Sequence, residues 1–241
     1  MPPEREWPPR EELFLALDAL GPAWHSGGTL PPERLRAVTA HLDGPPACSV
    51  ETGAGISTLL FSNISARHVV FSLAEDSGSA DDTMAAVRTS PLLRAEGVEL
   101  VLGPSQLTLP QYVFDAPVDL FLIDGPHAYP FPELEYYHVY PHLRPGALLV
   151  IDDVQIPTVG RLFDFVREDD MFDLVQMAHT TAILRRTSAD VFPPTEDNWW
   201  TQGYNRRRYG DPGSRARRLG RHLPAPLKAP IRRLRSLVPW G

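Results

Sequence analysis

The sequence has only one cysteine, Cys48, among its 241 residues. An intrachain disulfide is therefore impossible, which is typical of proteins from a reducing compartment. Long hydrophobic runs are also missing: no apolar stretch reaches ten residues, and a membrane-spanning helix needs about twenty. The first residues, Met1-Pro-Pro-Glu-Arg-Glu-Trp7, do not have the basic start and apolar stretch of a secretory signal. These absences predict a cytoplasmic protein.

Positive charge is scarce over most of the chain. Residues 1–204 contain 12 Lys and Arg against 29 Asp and Glu, whereas residues 205–241 contain 11 against one, Asp211. The acidic body would repel nucleic acid, so we expect no nucleic-acid partner. The basic tail is compatible with a solvated segment, a peripheral contact with a membrane or a contact with a protein partner.

The remaining composition is that of a globular protein, with 43% hydrophobic and 22% charged residues, and the length suits one α/β domain. Helical apolar spacing at 9–20 and 31–42 predicts an N-terminal helical cover over residues 1–46, which packs on the core or forms a lid. The main domain is predicted at 47–187. An irregular segment and the basic tail follow at 188–241.

Strand and helix patterns alternate through the main domain. The predicted strands lie at 48–50, 68–73, 98–102, 118–123 and 147–151, and a closing hairpin lies at 172–178 and 181–186. The predicted helices begin at Ser57 and lie at 79–88, 107–114, 132–140 and 158–167. Alternation of this kind predicts a doubly wound, mostly parallel sheet of seven strands, and the hairpin makes the last strand antiparallel.

A glycine-rich turn connects the first predicted strand to the first helix of the main domain. Glu51 ends the strand, and Gly53 and Gly55 allow a tight turn and close approach of a ligand. Ser57 or Thr58 can cap the helix that follows. A strand, a glycine turn and a helix in this order direct backbone N–H groups toward a nucleotide-like ligand.

Carboxylates follow two neighbouring predicted strands. Asp124 comes directly after the fourth strand, with His127 three residues later, and Asp152 and Asp153 follow the fifth strand. Parallel strands end at the same edge of a sheet, so these side chains are expected to meet there and to favour a divalent cation with oxygen ligands. Two simpler interpretations stay open: the Asp pair caps a loop, and His127 belongs to a turn.

Three stretches together resemble the class I S-adenosylmethionine-dependent methyltransferases. They are the glycine motif at 50–58, the Ile-Asp-Gly-Pro-His motif within 119–129 and the Ile-Asp-Asp motif within 143–153. The resemblance covers roughly residues 47–187 and implies a Rossmann-like fold. Within the class, the Ile-Asp-Gly-x-His and Ile-Asp-Asp pair looks most similar to macrocin and mycinamicin sugar O-methyltransferases, which are typically magnesium-dependent.

The resemblance also implies roles for individual residues. His127 matches the general base, and Asp124 is assigned to catalysis, to the cofactor and to the metal. Family members usually bind the ribose through an acidic residue after the second strand; here that place reads Ser-Leu-Ala at 72–74, so Glu75 is assigned instead. The predicted cofactor-binding residues are Glu51, Gly53, Gly55, Ser57, Glu75, Ser105 and Asp124. The predicted ligands of Mg²⁺ are Asp124, Asp152 and Asp153.

These assignments predict methyl transfer from S-adenosylmethionine to a hydroxyl of a small molecule. One alternative is a non-catalytic, methyltransferase-like binding module that acts through its basic tail. A nicotinamide dehydrogenase is disfavoured because Ser57-Thr58 replaces the third glycine of its motif and because a closing hairpin is not expected there. The acceptor molecule, the need for metal and the oligomeric state, with an oligomer among the options, are left open.

Overall fold

A seven-stranded sheet forms the centre of the protein in the computed structural model, which describes residues 10–21, 24, 30–73 and 79–210. The strands are β1 Cys48–Thr52, β2 Arg67–Ser72, β3 Val98–Leu102, β4 Val118–Ile123, β5 Leu143–Ile151, β6 Phe172–Ala178 and β7 Thr181–Arg186. They lie in the order β3-β2-β1-β4-β5-β7-β6. Only the pairs that involve β7 are antiparallel. The predicted Rossmann-like sheet with an antiparallel closing hairpin is confirmed.

Helices connect the parallel strands and precede the sheet. Those of the main body are α1 Arg10–Leu20, α2 Pro32–Ala40, α3 Ile56–Ile64, α4 Ser79–Thr89, α5 Ser105–Thr108, α6 Phe131–Val139 and α7 Pro157–Val166. Proline stands in the first turn of α2, α6 and α7, where its missing N–H has no helical partner to lose.

The core lies on both faces of the sheet, because every residue of β1 and β4 is buried. On one face, Phe14 and Leu17 of α1 and Leu35 and Val38 of α2 pack with α3 against Leu120 of β4. On the other face, α6 and α7 pack against the sheet through residues such as Tyr136, Val139, Leu162 and Val166. The two N-terminal helices therefore contribute to the main hydrophobic core.

The largest difference from the predicted elements is at 107–114. The chain there forms α5, then a 3₁₀ turn at Leu109–Gln111, and residues 112–114 are not helical. Pro110 explains the early end, since proline has no N–H and its ring crowds the preceding turn of an α-helix. β1 is longer than its predicted span, because parallel pairing with β4 continues through Glu51 and Thr52.

From Glu196 onward the chain belongs to a second unit. Its described residues form a 3₁₀ turn at Trp199–Thr201 and helix α8, Gly203–Gly210, and the ring of Trp199 packs on Tyr209. The basic residues at 211–241, including the short helix predicted at 230–238, lie outside the described residues. Among the residues that the structure describes, no helix has the length and apolar character needed to cross a membrane.

Candidate cofactor and metal site

A cleft of about 540 Å³ opens at the edge of the sheet where the parallel strands end. Because parallel strands present their carboxyl ends on one edge, the turns after β1, β3, β4 and β5 all contribute to it. Side chains of α2, α4 and α6 complete the walls. The described lining residues are Leu30, Arg34, Gly53, Ala54, Phe71, Ser72, Leu73, Thr83, Gly103, Ser105, Asp124, Gly125, Pro126, His127, Glu135, Asp152 and Asp153.

The turn after β1 requires glycine at position 53. Gly53 has a φ of +86°, and a Cβ atom there would lie 2.2 Å from the carbonyl oxygen of Asp124. Its N–H donates to the carbonyl oxygen of Phe71 at 2.9 Å. Two independent constraints, the left-handed backbone and the close approach of β4, therefore exclude any other residue. This brings the glycine turn directly against Asp124.

Thr58 caps α3, one of the two predicted possibilities. Its Oγ1 accepts the N–H of Gly55 at 3.0 Å and donates to Glu51 Oε1. Glu51, Ser57 and Thr58 are all buried. Gly53, Ser105 and Asp124 line the cleft, whereas Glu51, Gly55 and Ser57 are not among its lining residues. Glu75, the predicted ribose contact, lies outside the described residues.

Asp124, His127 and Asp153 meet at the rim of the cleft, and we call them the rim cluster. One ligand atom from each lies within 4.8 Å of the other two. His127 Nε2 is 3.3 Å from Asp153 Oδ2, and Gln155 Nε2 donates to Asp153 Oδ1 at 2.8 Å. Thr158 Oγ1 donates to the carbonyl oxygen of His127. The structure thus brings together the predicted base and two of the three predicted metal ligands.

Asp152, the third predicted ligand, is engaged elsewhere. Arg34 Nη1 contacts Asp152 Oδ1 at 3.2 Å and donates to Thr180 Oγ1 at 2.7 Å. Thr181 Oγ1 also donates to Asp152 Oδ1. Asp152 is buried and lines the cleft, but it is not part of the rim cluster. Sequence reasoning missed Arg34, which comes from α2, 118 residues away along the chain.

A comparison with protein families identifies the central part of the chain. Residues 50–154, slightly under half of the sequence, match the family model described as a methyltransferase domain. This range contains the glycine turn, the rim cluster and Asp152. The chain carries a methyltransferase domain. The match and the sheet order together confirm the resemblance to the class I S-adenosylmethionine-dependent methyltransferases; the narrower likeness to macrocin and mycinamicin sugar methyltransferases stays a prediction.

Solved structures with the same fold include three methyltransferases. The O-methyltransferase TomG from Streptomyces achromogenes is 17% identical, with a TM-score of 0.56 over 78% of this chain and 100% of that one. The O-methyltransferase from Bacillus cereus is 16% identical (TM-score 0.53, 73% and 90%). Podospora anserina PaMTH1 is 13% identical (TM-score 0.53, 74% and 87%). At this identity the likeness shows the fold alone. No relative was found among curated protein sequences.

Electrostatics within the methyltransferase domain favour a cation at the rim. Burial raises the pKa of Asp124 well above its usual value. The charges that raise it further are, in order, those of Asp152, Glu51, Asp153 and Glu135. A divalent cation with oxygen ligands would relieve this repulsion. The two carboxylates of the rim cluster, those of Asp124 and Asp153, are oxygen donors that fit such an ion.

Glu135 of α6 is a further cleft residue, and sequence reasoning missed it. Its carboxylate is buried and accepts hydrogen bonds from Thr52 Oγ1 at 2.7 Å and Ser105 Oγ at 2.8 Å. A Cβ atom at Gly125 would lie 2.4 Å from Glu135 Oε1. Burial raises the pKa of Glu135 to about 7, although the two hydroxyl groups lower it. The available signal was its position on the apolar face of α6, beside Tyr136 and four residues before Val139.

Proposed function

We propose that the protein transfers the methyl group of S-adenosylmethionine to a hydroxyl group of a small molecule. One observation carries this proposal: the glycine turn and the rim cluster line the same cleft. Methyl transfer to oxygen needs a cofactor site and a base next to the acceptor, held in fixed orientation. TomG was solved with SAM and the Bacillus cereus enzyme with SAH, which supports the same cofactor here.

We assign the cofactor to this cleft, and the residues that line it support the assignment. We place the methionine part near the turn of Gly53, with Glu51 behind it, and the adenine near Gly103 and Ser105 after β3. The ribose contact remains assigned to Glu75, as predicted from the sequence. We assign the acceptor hydroxyl to the rim cluster, which lines the same cleft.

His127 is the proposed general base. Its Nε2 is buried and makes no hydrogen bond to any described residue, although it lies 3.3 Å from Asp153 Oδ2. In the tautomer that carries its proton on Nδ1, the lone pair of Nε2 accepts the proton of the acceptor hydroxyl. As that proton moves to Nε2, the oxygen–methyl bond forms and the sulfur–methyl bond breaks, so that S-adenosylhomocysteine leaves. The neighbouring Asp153 carboxylate stabilises the imidazolium that results.

A divalent cation is the second part of the proposal, with Asp124 and Asp153 as the residues that would hold it. When bound, such an ion lowers the pKa of a hydroxyl that coordinates it. Mg²⁺ prefers oxygen ligands and would leave His127 free, whereas a metal that prefers imidazole would occupy the base. Asp152 gives Oδ1 to Arg34 and Thr181, so we assign it to fixing the rim and to adding negative charge.

The non-catalytic alternative is not favoured, because the cleft retains both the glycine turn and the rim cluster. A contact between the basic tail and a membrane or protein, an oligomeric state and a cytoplasmic location remain predictions. The partner that the proposal needs is a small hydroxylated molecule.

The first experiment is calorimetric titration of S-adenosylhomocysteine into the purified protein, with Mg²⁺ and then with chelator. Binding is expected in both conditions, because the glycine turn does not need the ion. Turnover is then measured as S-adenosylhomocysteine release with a panel of hydroxylated acceptors. Release is expected to require Mg²⁺ and to fall about 100-fold or more in His127→Ala.

Two results would count against the proposal. Absence of S-adenosylhomocysteine binding under both conditions would contradict the proposed cofactor and favour the non-catalytic alternative. Unchanged turnover in His127→Ala would show that His127 is not the general base. His138→Ala is the matched control, since His138 lies on α6 outside the residues that line the cleft, and its turnover is expected to equal that of the wild type.

A further inference from the structure

A connected group of buried polar side chains lies behind the glycine turn and ends on Glu51. Thr58 Oγ1 donates to Glu51 Oε1, and His68 Nε2 lies 3.1 Å from the same oxygen. His68 Nδ1 lies 2.8 Å from Ser49 Oγ, which lies 2.7 Å from Ser65 Oγ. Each of these five residues is at most 2% exposed. A buried polar network of this kind fixes the orientation of its members.

The chemistry of the groups sets the role of the His68 ring. A carboxylate only accepts hydrogen bonds, so His68 Nε2 is the donor toward Glu51. Nδ1 of the ring faces Ser49 Oγ at 2.8 Å, and Ser49 Oγ donates to Ser65 Oγ. The edge-to-face contact with Phe61, at 5.6 Å between ring centroids, holds the ring from the side. His68 therefore keeps one orientation, with its N–H directed at Glu51.

Only one of the two carboxylate oxygens of Glu51 has hydrogen-bond partners among the described residues. Both donors contact Oε1, whereas Oε2 is buried and has no hydrogen-bond partner among the described residues. A buried acceptor without a partner is costly, and native proteins rarely keep one without a function. Glu51 is the second-last residue of β1 and precedes Gly53, which lines the cleft, by two residues. The amino acid part of S-adenosylmethionine carries an ammonium group, which is a donor of opposite charge.

We propose that His68 is a positioning residue that holds Glu51 so that its free Oε2 binds the ammonium group of the cofactor. The inference rests on the proposed function, because it needs S-adenosylmethionine as the ligand of the cleft. His68 does not touch the cofactor; it acts by occupying Oε1 together with Thr58. Without this donor, the Glu51 carboxylate would be free to turn Oε2 inward.

Two ligands separate this role from a general contribution to folding. S-adenosylhomocysteine carries the ammonium group, whereas 5′-methylthioadenosine has the same nucleoside without the amino acid. Both are titrated calorimetrically into the wild type, His68→Leu and His68→Gln. We expect His68→Leu to lower the affinity for S-adenosylhomocysteine by about tenfold or more. The affinity for methylthioadenosine should fall by less than about twofold. His68→Gln keeps an N–H donor, and its affinity is expected within about threefold of the wild type.

Controls make the result specific to His68. His142→Leu is the same substitution outside the cleft, where the ring packs on Phe114, and it should leave both affinities unchanged. Thermal unfolding checks that each variant is folded. If His68→Leu does not fold, Ser49→Ala is the second variant, because it removes only the partner of Nδ1. It is expected to lower the affinity for S-adenosylhomocysteine by about twofold to fivefold and to leave the affinity for methylthioadenosine unchanged.

The outcomes distinguish the inference from the proposed function. Equal weakening of both ligands in His68→Leu or Ser49→Ala, or no weakening of S-adenosylhomocysteine, overturns the role of His68 alone. A wild type that binds neither ligand overturns the proposed function and this inference with it. Selective loss of S-adenosylhomocysteine affinity, restored by His68→Gln, supports it.

Discussion

At the scale of single residues, Gly53 brings the glycine turn against the end of β4. Its backbone is left-handed, and the missing side chain lets the carbonyl of Asp124 approach. The position of Asp124 in the cleft therefore requires a residue without a Cβ atom at position 53. In contrast, Gly55 has an extended backbone, with φ of 173°, which any residue can adopt.

Gly53→Ala is predicted to weaken S-adenosylhomocysteine binding by about tenfold or more, because strain of about 1–3 kcal/mol must be relieved by moving the turn. Calorimetric titration measures the change. Gly44→Ala is the control, since a Cβ atom there meets nothing within 4 Å, and it should bind like the wild type. Equal affinity in the wild type and Gly53→Ala would show that the turn does not shape the cofactor site.

At the scale of helices and strands, α6 contacts three turns at the edge of the sheet through one side chain, Glu135. Glu135 accepts hydrogen bonds from Thr52 at the end of β1 and from Ser105 after β3, and it packs against Gly125 after β4. A buried carboxylate in this place gives the cleft a dependence on pH.

The free energy of unfolding is predicted to fall relative to Glu135→Gln as pH rises. Glu135 ionises near pH 4.5 in the unfolded chain but near 7 in the folded protein, so its stabilising contribution is complete below pH 4.5 and is lost as pH passes 7. Urea unfolding between pH 5 and 8 should show a relative change on the order of 3 kcal/mol. The exposed Glu96→Gln serves as control; parallel pH curves for Glu135→Gln and the wild type would contradict the prediction.

Helix α2 is joined to the cleft by Arg34. Arg34→Met is predicted to lower the free energy of unfolding by about 1–3 kcal/mol, because the buried Asp152 loses a charged partner. Arg36→Met on the same helix breaks more exposed ion pairs with Glu11 and Asp18, and its cost should stay below about 1 kcal/mol. Urea unfolding compares the two. Equal losses of unfolding free energy in the two variants would show that the Arg34–Asp152 contact stabilises the protein no more than the exposed ion pairs of Arg36.

At the scale of the whole molecule, the cleft is built from several strands and helices that are distant in the sequence. The cleft takes residues from the ends of β1, β4 and β5 and from α2 and α6, so a ligand there contacts elements from both halves of the fold. Binding to the folded state alone stabilises it by mass action.

S-adenosylhomocysteine at 100 times its dissociation constant is predicted to raise the melting temperature by roughly 5–10 °C, since the linkage energy is about 2.7 kcal/mol and a domain of this size gains about 2–4 °C per kcal/mol. Differential scanning fluorimetry measures the shift. Gly53→Ala should show a smaller one at the same concentration. A shift that does not grow with ligand concentration would contradict binding to the folded state.

The sequence alone determined the succession of strands and helices along the chain, the glycine turn after β1, and the placement of Asp124 and His127 at one edge of the sheet. These follow from local patterns: apolar periodicity, backbone freedom at glycine, and the rule that parallel strands end together. The helix predicted at 107–114 was wrong in extent, because Pro110 ended it.

Only the tertiary structure decided which polar groups pair. Arg34 reaches Asp152, Glu135 reaches Thr52, and His68 reaches Glu51 across 118, 83 and 17 residues. Several carboxylates and hydroxyl groups lie close together around the ends of these strands, and side chains from α2, α6 and β2 determine which of them pair. Such choices depend on distances set by packing, which no local pattern encodes.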